Sequence, residues 1–235
     1  VTLRCASFNV LADSYLRLAN YDHVAPELLA PGARLPYILT CIRSLDADVI
    51  GLQEATDDLI KAIERANEWQ IFSSPKAAPK PDGCLLLVRR SIKVTDFQAY
   101  HYADGSGHVV QLVTIMGVRF ANSHIKWAKA GPRHIGVSQT KELLQHLGVG
   151  PAVIFADCND RPGGPVRQLV EQAGFTNTSG DTPTAFVDGA PVALDLVAVR
   201  GLTARPVNTG LSANGIPTMA CASDHLPVVA DIDVN

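Results

Sequence analysis

Apolar and polar positions along this chain change period several times, and each change marks an element. Residues 2–10 alternate in part, as a strand with one buried face does. LPYILTCIRSLD at 35–46 carries apolar residues at helical spacing, and DVIGLQ at 48–53 reads as a short buried strand. DDLIKAIERANEW at 57–69 predicts an amphipathic helix, with Asp57 and Asp58 at the end where the helix dipole favours negative charge. CLLLVRR, IKVTDFQAY, VVQLVTIM and VRFANSH then follow one another between 84 and 124 with Gly or polar breaks, which predicts a β meander. GVSQTKELLQHLG at 136–148 predicts a helix stopped by Gly148, AVIFAD at 152–157 a wholly buried strand, and GPVRQLVEQAG at 164–174 a short helix ending at Gly174. ALDLVAVRG and LPVVADIDV supply the last strands. Helices occur in both halves, and neither a repeat nor a linker divides the chain. The expected fold is therefore α/β, a four-layer α/β/β/α sandwich of two mainly antiparallel sheets with outer helices, in a single domain over 1–235.

In such a sandwich, strand ends from both sheets meet along one rim, and function is expected there. Six apolar runs of this chain end on oxygen or imidazole groups: FNVLAD (8–13), LQEA (52–55), NSHIKW (122–127), ADCND (156–160), ALDLVAV (193–199) and SDHLPV (223–228). Hard cations take oxygen ligands, and in-line hydrolysis needs an activated water, so the set points to one metal-assisted phosphoryl site. Taken singly, each residue has a plainer reading beside the chemical one. Glu54 is either a metal ligand held by its strand or the start of an exposed loop, and Asn9 either orients a ligand or closes an Asx turn. Asp157 and Asn159 lie two apart, so an extended backbone would aim both at one substrate, Asp157 as base or water-positioner and Asn159 as donor; the alternative is an Asx-rich turn in CNDRPGG. His124 is a structural strand histidine or a donor to a phosphate oxygen. Asp224 and His225 can act as a pair only if the backbone turns, because neighbours on a strand point oppositely. Asp195, flanked by apolar residues, needs a partner, and His225 or a metal would serve.

Composition narrows the classes. The chain has 235 residues, 47% hydrophobic and 18% charged, so it can bury a sizeable core, and it lacks an apolar run long enough for a membrane-spanning helix. The expectation is a soluble, cytoplasmic protein without a membrane partner. Five cysteines without CxxC or Cys/His metal spacing suit a reducing compartment. A net charge of −3 provides no global attraction for a long polyanion. Local basic residues, Lys76 and Lys80 in SSPKAAPKPDG and Lys126, Lys129, Arg133 and His134 after NSH, suit one or a few phosphates, or else are solvated loop charge. Phosphate-binding P-loops, Rossmann glycines, GxSxG elbows and HExxH helices do not occur in the sequence. The chain opens at Val1 without a leader pattern and reads as a trimmed segment, which leaves room for a fused or associated domain.

In order, Asn9, Glu54 after a hydrophobic strand, His124, Asp157-x-Asn159, Asp195 and the terminal Ser223-Asp224-His225 resemble the exonuclease-endonuclease-phosphatase superfamily. FNVLADSYL, the Tyr/Pro-rich YDHVAPELLAPGARLPYIL before ADVIGLQEA, the DGC at 82–84, and NSHIKW before VSQTKELLQHL resemble the branch of poly(A) deadenylases, nocturnin, angel proteins and the 2',5'-phosphodiesterase. The resemblance implies Mg²⁺ or Mn²⁺ dependence, with Asn9, Glu54 and Asp224 at the metal. It further implies His124 and Asn159 on the phosphate, Asp157 orienting the nucleophile, and Asp195 and His225 completing the acid/base set. Departures from the family pattern are Ala156 for Gly, Cys158 for an aromatic and Leu196 for the Tyr after Asp195; the Pro of the deadenylase branch after NSHxxW is absent near Lys129, and the base-stacking Phe before Asp195 has no in-register counterpart, Phe186 lying several residues upstream. The implied activity is hydrolysis at RNA 3' ends, which would make any fused or associated domain one of RNA processing; Lys126, Trp127 and Phe186 are candidate substrate contacts, the two aromatics either as stacking surfaces for a terminal base or as core residues. The alternative implied is a phosphatase removing a terminal 2',3'-cyclic or 2'-phosphate from RNA or a phosphorylated nucleotide.

Overall fold

A computed structural model describes residues 1–18, 21–128 and 134–234. In chain order the strands and helices are β1 (Thr2–Asn9), α1 (Pro26–Leu29), α2 (Leu35–Ser44), β2 (Val49–Ala55), α3 (Asp57–Ala66), β3 (Trp69–Pro75), β4 (Gly83–Arg89), β5 (Val94–His101), β6 (Val109–Ile115) and β7 (Val118–His124). There follow α4 (Ile135–Leu147), β8 (Ala152–Asp157), α5 (Pro165–Gln172), β9 (Thr176–Asn177), β10 (Ala185–Val187), β11 (Ala190–Val192), β12 (Asp195–Arg200), β13 (Thr203–Val207) and β14 (Val228–Asp233). A 3-10 turn spans Asp13–Leu18.

The strands form two six-stranded sheets, β13-β14-β1-β2-β4-β3 and β5-β6-β7-β8-β12-β9, with a small β10-β11 hairpin beside them. Each large sheet has one parallel pair at its centre, β1 with β2 and β7 with β8, and antiparallel pairing elsewhere. Both parallel pairs end at the same rim. Their antiparallel neighbours β14, β4 and β12 begin there, so Asn9, Glu54, His124 and Asp157 at strand ends meet Asp82, Asp195 and His225 at strand starts.

Two expectations are corrected and one strand is added. The helix predicted over 57–69 stops at Ala66, because Asn67 adopts the left-handed conformation (φ 54°) and Trp69 opens β3, which the helical spacing concealed. The predicted meander is split between the sheets: β4 joins β2 and β3, and the chain crosses before β5, β6 and β7 pair in the second sheet. The sheet-edge strand β13, with Pro206 inside it, gave no alternating signal and was not anticipated.

The apolar layer between the sheets contains Val49, Leu86, Phe120, Phe155, Val197 and Ile232, all fully buried or nearly so. Helices α2 and α3 cover the outer face of the first sheet through Ile38, Ile42, Leu59 and Ile63, and α4 and α5 cover the second through Leu143, Leu147, Val166 and Val170. Toward the rim this layer turns polar. Gln53 Nε2 donates to Asn122 Oδ1 (2.8 Å), and Asn122 Nδ2 to Gln111 Oε1 (3.0 Å) and the carbonyl of Leu52 (3.0 Å). The bonds lock the two parallel pairs in register beneath the site. Gly51 permits the approach, since a Cβ there would lie 2.6 Å from Phe155 Cβ and 2.9 Å from Asn122 Oδ1. Gly51→Ala should therefore cost about 1–3 kcal/mol of stability by overpacking. Urea unfolding measures this, and a midpoint equal to that of the parent chain would contradict it.

Candidate functional site

Local backbone geometry aims the rim residues. At the end of β1, Asn9 Oδ1 accepts from Leu11 N (2.9 Å), an Asx turn that swings the chain away and leaves the amide nitrogen facing inward. That nitrogen donates to both Glu54 Oε1 (3.0 Å) and Asp157 Oδ2 (2.9 Å). Glu54 lies at a bulge of the β2–β4 pairing and holds a positive φ of 59°, a strained backbone for a non-glycine residue. Its other oxygen accepts from Ala12 N (2.9 Å). Asn159 also has a positive φ, 47°, so Asp157 and Asn159 do not share an extended backbone. Instead Asn159 N donates to Asp157 Oδ1 (2.9 Å), and the Asx turn itself delivers Asn159 Nδ2 to within 2.9 Å of His124 Nε2.

Asp195 faces Asp157 across the β8–β12 ladder. Its Oδ2 accepts from Thr184 Oγ1 (2.7 Å) and lies 2.8 Å from His225 Nδ1, which supplies the partner a buried carboxylate requires. The chain bends at Ser223, whose hydroxyl donates to the Asn9 carbonyl (2.7 Å) and accepts from His225 N (3.2 Å). The bend brings His225 Nε2 within 3.7 Å of Asp157 Oδ2 and 4.0 Å of Asp224 Oδ1. Asp224 Oδ2 accepts from Tyr21 (2.8 Å).

Charge is crowded here. Burial, then the charge of Asp224, push the Glu54 carboxyl up to about 7, against Lys76 and the bonds from Asn9 and Ala12. Burial likewise pushes Asp157 up to about 6, with His225 pulling it back and Asp195 adding to the rise. The two histidines diverge. Burial opposes a charge on His225, but Asp195, Asp157 and Asp224 outweigh it and hold the imidazole well above its ordinary range, hence cationic. His124 is held well below that range by burial and by Lys76, His108 and His225, hence neutral.

The residues fit a divalent cation. Asp224 Oδ1 and Asp195 Oδ1 are buried without a hydrogen-bond partner, and the carboxylates outnumber the cations facing them. Two placements compete. Asp157, Asp195 and His225 offer ligand atoms within 4.8 Å of one another, but His225 is already committed to Asp195 and carries charge. Glu54 and Asp224, with Asn9 beside them, offer the oxygen-rich set that a hard cation prefers, and the mutual repulsion of the two carboxylates is what a cation would relieve.

The structure brings together Asn9, Glu54, His124, Asp157, Asn159, Asp195, Asp224 and His225. Phe186 is half-buried, edge-on to His23 at 5.1 Å, and its N donates to the Asp224 carbonyl (2.9 Å), so it stands beside the cluster. Lys126 is half-buried with its backbone held by Gln139 (2.8 Å), and Trp127 is 62% exposed, so no contact ties these two side chains to the cluster. Lys80 is turned onto the Ser106 carbonyl (2.7 Å), and Lys129 and Arg133 lie outside the described residues.

Sequence reasoning passed over Arg34, Tyr15, Tyr21 and Thr184. Arg34 is 3% exposed and binds the carbonyls of Val10 (3.1 Å), Ala222 (2.7 Å) and Leu11, tying together the loops that carry Asn9 and Asp224. These four lie in segments without periodicity; Tyr15 falls inside FNVLADSYL, and Tyr21 and Arg34 inside YDHVAPELLAPGARLPYIL, but nothing in those motifs marks them as site residues.

A sequence model described as the Endonuclease/Exonuclease/phosphatase family matches residues 6–225. Protein angel homolog 2 of Homo sapiens and of Bos taurus are each 25% identical over 241 residues, covering 88% of this chain. The chain spans 43% of the length of these relatives. Among solved structures, ANGEL2, a 2',3'-cyclic phosphatase, superposes with a TM-score of 0.80 at 17% identity, covering 98% of this chain and 95% of its own. The human Nocturnin catalytic domain with bound sulfate superposes with 0.77 at 20% identity, covering 100% and 94%.

Because the Glu54 carboxyl retains a proton below about 7 and a bound cation must displace it, Mg²⁺ binding should release protons. The affinity should weaken as pH falls through about 7. Titration calorimetry in buffers of different ionisation enthalpy measures both effects, and an affinity independent of pH across that range would contradict the assignment.

Proposed function

The chain belongs to the endonuclease/exonuclease/phosphatase family, a hydrolase of phosphoester bonds, and on that premise we propose that it acts at the 3' ends of RNA. In this reading Glu54 and Asp224 would hold Mg²⁺ or Mn²⁺, with Asn9 at the metal site as the residue that orients Glu54 through its amide nitrogen. A cation there would polarise a phosphoryl oxygen and offset the charge that develops on it. Asp157, with a carboxyl that titrates near 6, is mostly ionised at neutral pH and sits where it can orient a water and take its proton. Asn9 keeps that carboxylate aimed by bonding it and Glu54 at once. Cationic His225, steadied by Asp195, and the amide of Asn159 donate to phosphoryl oxygens as charge builds on them. Neutral His124 lies between the two sides, 3.8 Å from Glu54 and 3.5 Å from Asp157. Lys76, buried 3.4 Å from His124, adds a fixed positive charge on the same face.

The observation that carries the reading is geometric: His124 Nε2 and His225 Nε2 lie 3.5 and 3.7 Å from the same Asp157 oxygen, and the Asn9 amide joins that carboxylate to Glu54, so imidazoles and carboxylates close around one point where a phosphorus can sit. Phe186 beside Asp224, with His23 at its edge, supplies a ring on which a terminal base can stack. A second reading, removal of a terminal 2',3'-cyclic phosphate, is favoured by the likeness to ANGEL2, a 2',3'-cyclic phosphatase also solved with adenosine-2',3'-vanadate.

End-labelled RNAs bearing a 3'-hydroxyl or a 2',3'-cyclic phosphate, incubated with Mg²⁺ or Mn²⁺, separate the readings by their products. Mononucleotide release supports the first, and an opened or removed cyclic phosphate on an uncut chain supports the second. Neither product would reject both. Glu54→Gln and His225→Ala should each lower the observed turnover by about 10²–10⁴-fold with the circular dichroism spectrum unchanged. Persistent turnover in either variant would refute the role given to that residue.

A further inference from the structure

One chain of polar contacts beside the site is built more elaborately than folding demands. Lys76 Nζ and the Asp82 carboxylate are 2.5 Å apart, with side chains only 2% and 0% exposed. Burying both charges is costly before their attraction offsets it, and apolar side chains of similar volume often fill such a space as stably. The pair is nevertheless fixed from several directions. Gly83 lets β3 and β4 close on each other, since a Cβ there would lie 2.4 Å from the Ser74 carbonyl oxygen. Lys76 N donates to the Asp82 carbonyl (3.0 Å), and Ala77 N to that of Gly107 (2.9 Å). The remaining Asp82 oxygen accepts from the Tyr15 hydroxyl (2.7 Å), which comes from the turn after β1, and the Tyr15 ring lies 5.8 Å from Lys76 Nζ. At its other end the ammonium stands 3.4 Å from His124 Nδ1.

We propose that Tyr15 and Asp82 are positioning residues for the phosphoryl site, holding the Lys76 ammonium beside His124 so that its charge meets the transition state. Asp82 holds the ammonium with one oxygen, and the Tyr15 hydroxyl holds Asp82 by the other, so the hydroxyl fixes the carboxylate and the carboxylate fixes the cation. The two residues thus set where the ammonium sits, without touching substrate. The inference rests on the phosphoester-hydrolase reading above and refines which residues tune that site.

Tyr15→Phe removes one hydroxyl and keeps the ring. It should lower kcat about 5- to 20-fold on whichever RNA end the parent chain hydrolyses, with KM changed less than about 2-fold. Asp82→Asn, of the same shape, should show the same split with a larger loss, and it serves if Tyr15→Phe does not fold. Binding of inorganic vanadate in the presence of Mg²⁺, followed by calorimetry, needs no turnover and should weaken in both variants by a factor similar to the loss in kcat. Thermal midpoints report folding separately. Vanadate affinity and kcat within about 2-fold of the parent, or a rise in KM alone, would overturn the inference. A parent chain that turns over no RNA end counts against the functional reading, while the vanadate comparison still decides this one.

Discussion

Four carboxylates, those of Glu54, Asp157, Asp195 and Asp224, converge where the two sheets leave little room for water, and their mutual repulsion governs the rest of the site. Such groups either take up protons or find positive charge. The molecule does both, with Glu54 and Asp157 raised toward neutrality and His225 drawn into its cationic form between three of the acids. The Asn9 amide, donating to two carboxylates at once, is what a neutral residue can add. A divalent cation would complete the balance, and the unpartnered oxygen of Asp224 is where that need is visible.

Holding such a cluster requires a frame that does not relax. The frame is the facing of two parallel strand pairs, with the buried ladder Gln53–Asn122–Gln111 beneath them and Gly51 admitting the close approach. Arg34 and Ser223 then clamp the loops above, each by bonds to backbone carbonyls. Strained positions such as Glu54 and Asn159 persist because these neighbours over-determine them, and the strain aims their side chains.

The two histidines show how one scaffold gives the same side chain opposite character. His225 is bonded to Asp195 with Asp157 and Asp224 close by, whereas His124, although Glu54 and Asp157 lie 3.8 and 3.5 Å away, meets the positive charge of Lys76 and packs on His108. Burial discourages charge on both, so the sign of the neighbours decides. The same logic extends outward to the Tyr15–Asp82–Lys76 chain, which brings a fixed cation to the side of the site that lacks one.

Sequence alone determined the layers and the polar ends of the strands. Apolar runs of period two and 3.6 must bury themselves as strands and helices, and a carboxylate or imidazole closing such a run is visible in one dimension. Tertiary structure decided what periodicity does not encode. It assigned β4 and β5 to different sheets, because the chain crosses between them at a short loop whose composition is compatible with a hairpin. It made Asp157 and Asn159 converge through a left-handed turn instead of an extended strand, and it recruited Tyr15, Tyr21, Arg34 and Thr184 from segments without hydrophobic periodicity. Those partners depend on distances between residues far apart in the chain, and on the positive charge each buried acid can reach once the sheets have closed.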